Sequence, residues 1–223
     1  MYQPPHFRED RLDVQHRFIQ SNPLGHLVTL GATGLIANPL PFFVVAAASP
    51  LGTLKGHLAR ANPQWQQLDA RQEALVIFQG VNCYITPSWY ETKQETGKVV
   101  PTWNYTAVHI YGKPRVIEDP DWLAAQVTEL TRRQEAAFAE PWAVSDAPKS
   151  FIDAQIRAIV GIEIPIDRIE GKWKVSQNRP ERDQKRVVEG LRSAGSDTAQ
   201  RMAELVADRG GNDRPLGQGS GPR

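Results

Sequence analysis

Two runs of strand-forming residues, Leu24 to Leu30 and Leu35 to Val45, flank Gly31-Ala32-Thr33-Gly34, a glycine-bearing turn. A connection this short can only return the second strand antiparallel to the first, because a parallel neighbour needs a crossover of about a dozen residues or more. The same grammar recurs. A brief strand through Leu54 to His57 hands over to a short helix near Pro63, and Ala74 to Phe78 with Asn82 to Thr86 reads as a second hairpin turning at Gln79-Gly80-Val81. Thr102 to Ile117 has strand character, and Ile159 to Ile166 with Ile169 to Val175 forms a last pair around Asp167-Arg168. Helices arrive singly: Asp10 to Gln20, one opened by Asp119-Pro120, a shorter one after Ala147-Pro148, and one from Pro180. The expectation is a mainly β fold with flanking helices, an antiparallel barrel rather than a doubly wound sheet.

A chain of 223 residues with 40% hydrophobic content can bury one good-sized core. Residues 1–192 are therefore expected to form a single barrel domain with its flanking helices, and 193–223 a C-terminal extension. From Gly210 that extension is rich in Gly, Pro, Asp and Arg and is expected to be disordered. Twenty-six basic against 25 acidic residues leave a net +1, so charge supports neither nucleic-acid nor membrane-surface binding. Cys83, the single cysteine, cannot form an intramolecular disulfide, and Met1-Tyr2-Gln3-Pro4-Pro5 does not have the pattern of a basic stretch followed by an apolar run that marks a secretory leader. The longest apolar run, Phe42 to Ala48, is far short of the roughly 20 residues that cross a bilayer. A cytoplasmic protein is expected.

Three segments concentrate chemistry. Lys55-Gly56-His57-Leu58-Ala59-Arg60-Ala61-Asn62 places cations where a strand gives way to a helix, a setting suited to an anion. A solvated turn is the bland alternative. The long loop Pro87 to Val100 and the strand after it gather Trp89, Tyr90, Trp103 and Tyr105, aromatics that could stack on a flat ligand or line an interface. In Glu170 to Asn178, strand alternation sends Lys172, Lys174 and Ser176 to one cationic face and Trp173 and Val175 to the other. The five histidines and Cys83 show no metal-ligand spacing, and no G-x-S-x-G elbow accompanies Ser88, so zinc and hydrolase chemistry find no support.

In order along the chain, MYQPPHF, GHLARANPQW, YITPSWYETK, VPTWNY, AIVGIEI and GKWKVSQNR resemble the signature blocks of the PaiB-like FMN-binding regulators. That resemblance implies the split barrel shared with pyridoxamine-phosphate oxidase-like flavoproteins, and a homodimer with FMN at the subunit interface. By position it implies that Lys55, His57 and Arg60 hold the FMN phosphate. Thr102, Trp103 and Asn104, with Ser88, Trp89 and Lys93 from the other subunit, would surround the isoalloxazine or close the pocket above it, and Asn38 is a further expected cofactor contact. Lys172, Lys174 and Gln177 would meet its pyrimidine edge, where donors favour the anionic reduced flavin. Pro39 stands where the resemblance leads one to expect a histidine, which puts any role of that histidine in doubt.

The leading expectation is a negative transcriptional regulator, with direct DNA binding unsupported by charge and no helix-turn-helix in view. The alternatives are an FMN-dependent oxidoreductase or flavin reductase, a haem-processing relative using His26, His57 or His109, and a dimeric scaffold that has lost its cofactor.

Overall fold

The computed structural model describes residues 1–209. The chain divides into two compact units, one of residues 10–78 and 108–170, the other of 1–9, 79–107 and 171 onward. Among the described residues nine strands, numbered β1 to β9 in chain order with the ranges given below, follow the hydrogen-bonded order β1-β9-β6-β5-β2-β3-β4-β8-β7, with antiparallel pairing along β1-β9, β5-β2-β3-β4-β8 and β8-β7. With the helices that flank it, this is the split-barrel class.

The first unit begins with α1 (Leu12–Ser21) and the hairpin of β2 (Leu24–Gly31) and β3 (Gly34–Val45). The turn closes on Gly31 opposite Gly34, whose φ of 118° is left-handed territory that only glycine enters freely. β4 (Thr53–Ala59) pairs with β3 on one side and β8 (Ile159–Pro165) on the other. Their inward positions supply a core of Leu27, Phe42, Leu54, Leu58, Ile162 and Ile164. β7 (Arg115–Ile117) pairs with β8, and α4 (Lys149–Arg157) precedes that strand. α3 (Pro120–Glu135) starts where expected, with the Asp119 carboxylate accepting from the Trp122 N–H at 2.8 Å. Leu123, Gln126 and Leu130 form its buried stripe. The indole of Trp122 packs against Gly161 of β8, where an added Cβ would come within 2.3 Å of the ring.

Where a second hairpin was expected, Ala74 to Ile85 is one 12-residue strand, β5. Gly80 keeps a negative or extended φ and makes no turn. The inward phase changes instead. Ala74, Val76 and Phe78 are buried in the first unit, whereas Val81, Cys83 and Ile85 face the apolar cluster of the second. Conversely, the strand expected from Thr102 to Ile117 is two, β6 (Thr102–Gly112) and β7, split at Lys113-Pro114 because proline lacks the N–H a ladder needs.

In the second unit, β1 (Arg8–Glu9) pairs with β9 (Arg168–Lys174), and Gln3 donates to the Gly171 carbonyl at 2.8 Å. The loop expected over Pro87 to Val100 contains a 3-10 turn at Pro87–Trp89 and a short helix, α2 (Thr92–Thr96). The fully buried Asp183 ties α2 to α5 (Glu181–Ala194), accepting from the Thr92 N–H at 3.1 Å and its hydroxyl at 2.7 Å. Residues 193–209 are not featureless. After Gly195 (φ 72°) they form α6 (Asp197–Arg209), whose Ala199, Met202, Ala203 and Val206 join Val187 and Leu191 of α5 in one buried cluster. The expected disorder beyond Gly210 lies outside the described residues. Met202→Ala should cost about 2–5 kcal/mol, the usual range for truncating a fully buried long apolar side chain. Urea unfolding of the full chain measures it.

Candidate functional site

The second unit brings β6 and β9 together around a pair of lysines. The Lys174 ammonium donates to the Thr102 hydroxyl and to the Trp103 carbonyl, the latter at 2.5 Å. Lys172, only 7% exposed, donates to the Tyr2 carbonyl at 2.9 Å. Its nitrogen stands 5.4 Å from the Tyr2 ring and 5.3 Å from the Tyr105 ring. Lys174 faces the same Tyr105 ring at 6.0 Å, so the alternation read from sequence holds for this pair. Lys172 itself is buried, because the N-terminal segment covers it.

What sets this pair apart is its charge balance. Every described partner of Lys172 and Lys174 is a neutral acceptor or a ring, and among the described residues no carboxylate pairs with either. Arg179, stacked 4.5 Å above the Tyr90 ring, adds a third cation without a carboxylate partner among the described residues. Burial, then the neighbouring Lys172 and Arg179 charges, push the Lys174 ammonium below the usual lysine value of 10.5. Beside it, Trp103 is 54% exposed and meets Tyr84, 49% exposed, edge-on at 6.0 Å. An open aromatic surface next to uncompensated buried positive charge is what a flat anionic ligand requires.

At the end of β9, Ser176 is the one non-glycine with positive φ (68°) among the described residues. Its buried hydroxyl accepts from the Asn104 amide at 2.9 Å, which holds the strained turn in place. Gln177 accepts from the Val175 N–H at 2.7 Å and donates to the Trp173 carbonyl at 2.5 Å, so its amide shapes this turn. Ser88 is exposed on the 3-10 turn and Lys93 exposed on α2. Trp89 packs against α5 so closely that a Cβ on Gly190 would come within 2.3 Å of its ring. These three therefore stand on the α2–α5 side of the unit and are not gathered around Lys174.

The first unit holds the other expected residues, each with internal partners. Lys55 lies 3.5 Å from the Glu163 carboxylate and 5.3 Å from the Trp122 ring. His57 Nδ1 meets Gln126 Oε1 at 2.8 Å. Arg60 is the most engaged: it pairs with Glu118 at 2.5 Å, donates to the carbonyls of Arg157 (3.0 Å) and Ile159 (3.2 Å), and stacks on Trp65 at 5.9 Å. The Asn38 amide donates to the buried Gln64 at 2.9 Å. Sequence reasoning passed over Tyr2, Arg179 and Gln126. The first two sit inside the blocks MYQPPHF and GKWKVSQNR and were visible there; Gln126 looked like any polar residue on a helix.

FMN is the group these residues have to fit, and the lysine pair with its open indole does fit an anionic, planar molecule. A family model described as "Putative FMN-binding domain" matches residues 1–168, ending just before Lys172. Full-length similarity extends past that limit: the "Protease synthase and sporulation protein PAI 2" of Bacillus subtilis is 34% identical over 94% of this chain and 98% of its own. A protein of Emericella nidulans, AN0679, is 35% identical over 91% of this chain and 94% of its own. Among solved structures, a FAD and haem binding protein of Mycobacterium smegmatis superposes with a TM-score of 0.55 at 16% identity, covering 75% of this chain and 73% of its own. Protein Rv2991 of Mycobacterium tuberculosis gives 0.56 at 14% identity, covering 81% and 94%. By this shared sequence and fold, the chain belongs to the PAI 2-like family of FMN-binding-domain proteins, built on the split barrel.

Proposed function

We propose that the protein binds FMN, with an electron-rich edge of the flavin at Lys174 and Lys172 and a ring face against Trp103, and that it works as a homodimeric regulatory flavoprotein. One observation carries the reading: two buried or half-buried ammonium groups, with Arg179 nearby, have no carboxylate among the described residues to balance them. Burying uncompensated charge is unfavourable unless something anionic completes the site. When bound, FMN supplies one- and two-electron redox chemistry. The chain's own contribution is to hold positive charge at the flavin edge, with Thr102 and the Trp103 carbonyl fixing the ammonium and Asn104 bracing the Ser176 turn below it.

The regulatory part is supported by the name of the Bacillus subtilis relative, which refers to protease synthesis and sporulation. With a net charge of +1, control through a partner or through the flavin's redox state is favoured over unaided DNA binding. A mobility-shift assay on promoter DNA with oxidised and reduced flavin separates these routes. Light scattering on the purified protein should give the mass of two chains, and a single-chain mass rejects the dimer. Flavin reduction by NADH or NADPH on a catalytic timescale would move the protein among the oxidoreductases.

The pH dependence follows from the depressed ammonium. Free protein loses the Lys174 proton below the usual lysine range, whereas a bound anion favours the charged form and raises that value. Binding therefore takes up a proton, and affinity should fall as pH rises through the free-state value. FMN titrations between neutral pH and about 10 should show that decline, and Lys174→Ala should flatten it.

A further inference from the structure

Lys174 also has the geometry of a nucleophile. Its nitrogen has three tetrahedral positions beyond the side chain, and two of them donate, to the Thr102 hydroxyl and the Trp103 carbonyl. The third has no acceptor among the described residues. It carries a proton in the ammonium and the lone pair in the amine, so the two donations hold that pair in a fixed direction. The side chain is half-buried, whereas Lys172 is 7% exposed and covered. Lys55, Lys149 and Lys185 each face a carboxylate, which favours their charged form. Lys174 faces none among the described residues. Burial and the charges of Lys172 and Arg179 act on it in the opposite sense, towards the neutral amine, and desolvation beside other cations is what turns a lysine into a nucleophile. We propose that Lys174 of the flavin-free protein is a covalent site for an aromatic aldehyde carrying an acidic group, its Nζ joining the carbonyl carbon as an imine. The inference deepens the flavin reading by placing a competitor at the same nitrogen, and rests on that reading only for the competition.

Each part of that substrate class answers to a feature of the site. An aldehyde needs only an amine to react. Nζ attacks the carbonyl carbon, a proton passes from nitrogen to oxygen, and the oxygen leaves as water when the C=N bond closes, with no oxidant, reductant or activated leaving group. The aromatic ring answers to Trp103, 54% exposed beside the nitrogen whose proton its own carbonyl accepts, and to Tyr84 edge-on to that indole. The acidic group answers to Lys172 and Arg179, neither of which has a carboxylate partner among the described residues. A neutral imine nitrogen has no N–H left to donate, so the flavin edge loses its donor and aldehyde and flavin exclude one another.

The test compares lysines within one folded chain. Flavin-free protein is treated with para-carboxybenzaldehyde and sodium cyanoborohydride, which reduces an imine to a stable secondary amine, and the labelled lysines are quantified by peptide mass spectrometry. Each pKa unit that separates two lysines changes the fraction present as amine about tenfold, so Lys174 is expected to label about tenfold faster than Lys185, whose ammonium is held by Glu181. Uncharged benzaldehyde should label Lys174 several-fold more slowly, because it gains nothing from the neighbouring cations. Lys174→Arg keeps the charge and cannot form the imine, so it should lose that one labelled peptide and no other. Saturating FMN should protect Lys174 and leave Lys185 untouched. Labelling of Lys174 no faster than of Lys185, or equally fast with both aldehydes, overturns the proposal. Fast labelling that FMN does not slow upholds the covalent site and counts instead against a flavin edge at Lys174.

Discussion

Lys174→Ala is expected to weaken FMN binding roughly ten- to a hundredfold, because a charge-assisted hydrogen bond in a partly buried site contributes about 1.5–3 kcal/mol. The loss should not come from unfolding. In the free protein this ammonium is disfavoured by burial and by two neighbouring cations, so its removal leaves the unliganded chain as stable as before or more so. A variant that melts no earlier than wild type but binds FMN poorly separates binding from folding. The same charge should be visible in the flavin's reduction potential. A cation at the flavin edge stabilises added electrons, so the potential of residual bound flavin in Lys174→Ala should drop. Each tenfold change in the ratio of reduced to oxidised affinity corresponds to about 30 mV for a two-electron couple. An unchanged affinity and potential would place the flavin elsewhere.

Phe78→Ala should be the most damaging single change in the first unit, costing about 3–5 kcal/mol. The ring is fully buried, meets Phe42 edge-to-face at 6.1 Å, and fills the space that Gly25 leaves open, where any Cβ would stand 2.6 Å from it. Truncation opens a cavity that Gly25 cannot close, and it does so at the residue where β5 leaves the first unit. Chemical denaturation measures the cost. A loss under about 1 kcal/mol would mean that the strand repacks around the gap.

Local sequence pattern showed well what local geometry decides. The β2–β3 hairpin was legible because Gly31 and Gly34 sit opposite each other and Gly34 needs positive φ. Gly80 gave the same signal falsely, since a glycine can mark a phase change within a strand as well as a turn. α6 escaped notice because its buried face is built partly of alanine, Ala199 and Ala203, which barely registers as an apolar stripe. At the site, alternation along β9 correctly put Lys172 and Lys174 on one side. The cover over Lys172 is Tyr2, 170 positions away, and no window on the sequence spans that distance. The engagement of Arg60 by Glu118 and two main-chain carbonyls, and of Gln177 by its own turn, was equally hidden, because both depend on where distant backbone oxygens arrive or how a turn closes. Residue type showed which side chains could carry chemistry, and three-dimensional charge balance distinguished those still lacking a counter-charge.

The decisive measurement is a fluorescence titration of FMN with flavin-free protein, run on the wild type and on the Lys172→Ala, Lys174→Ala double variant. Saturable binding of one FMN per chain by the wild type, lost or strongly weakened in the double variant at equal thermal stability, is the predicted result. Equal binding by both proteins, or none by the wild type, would contradict the account.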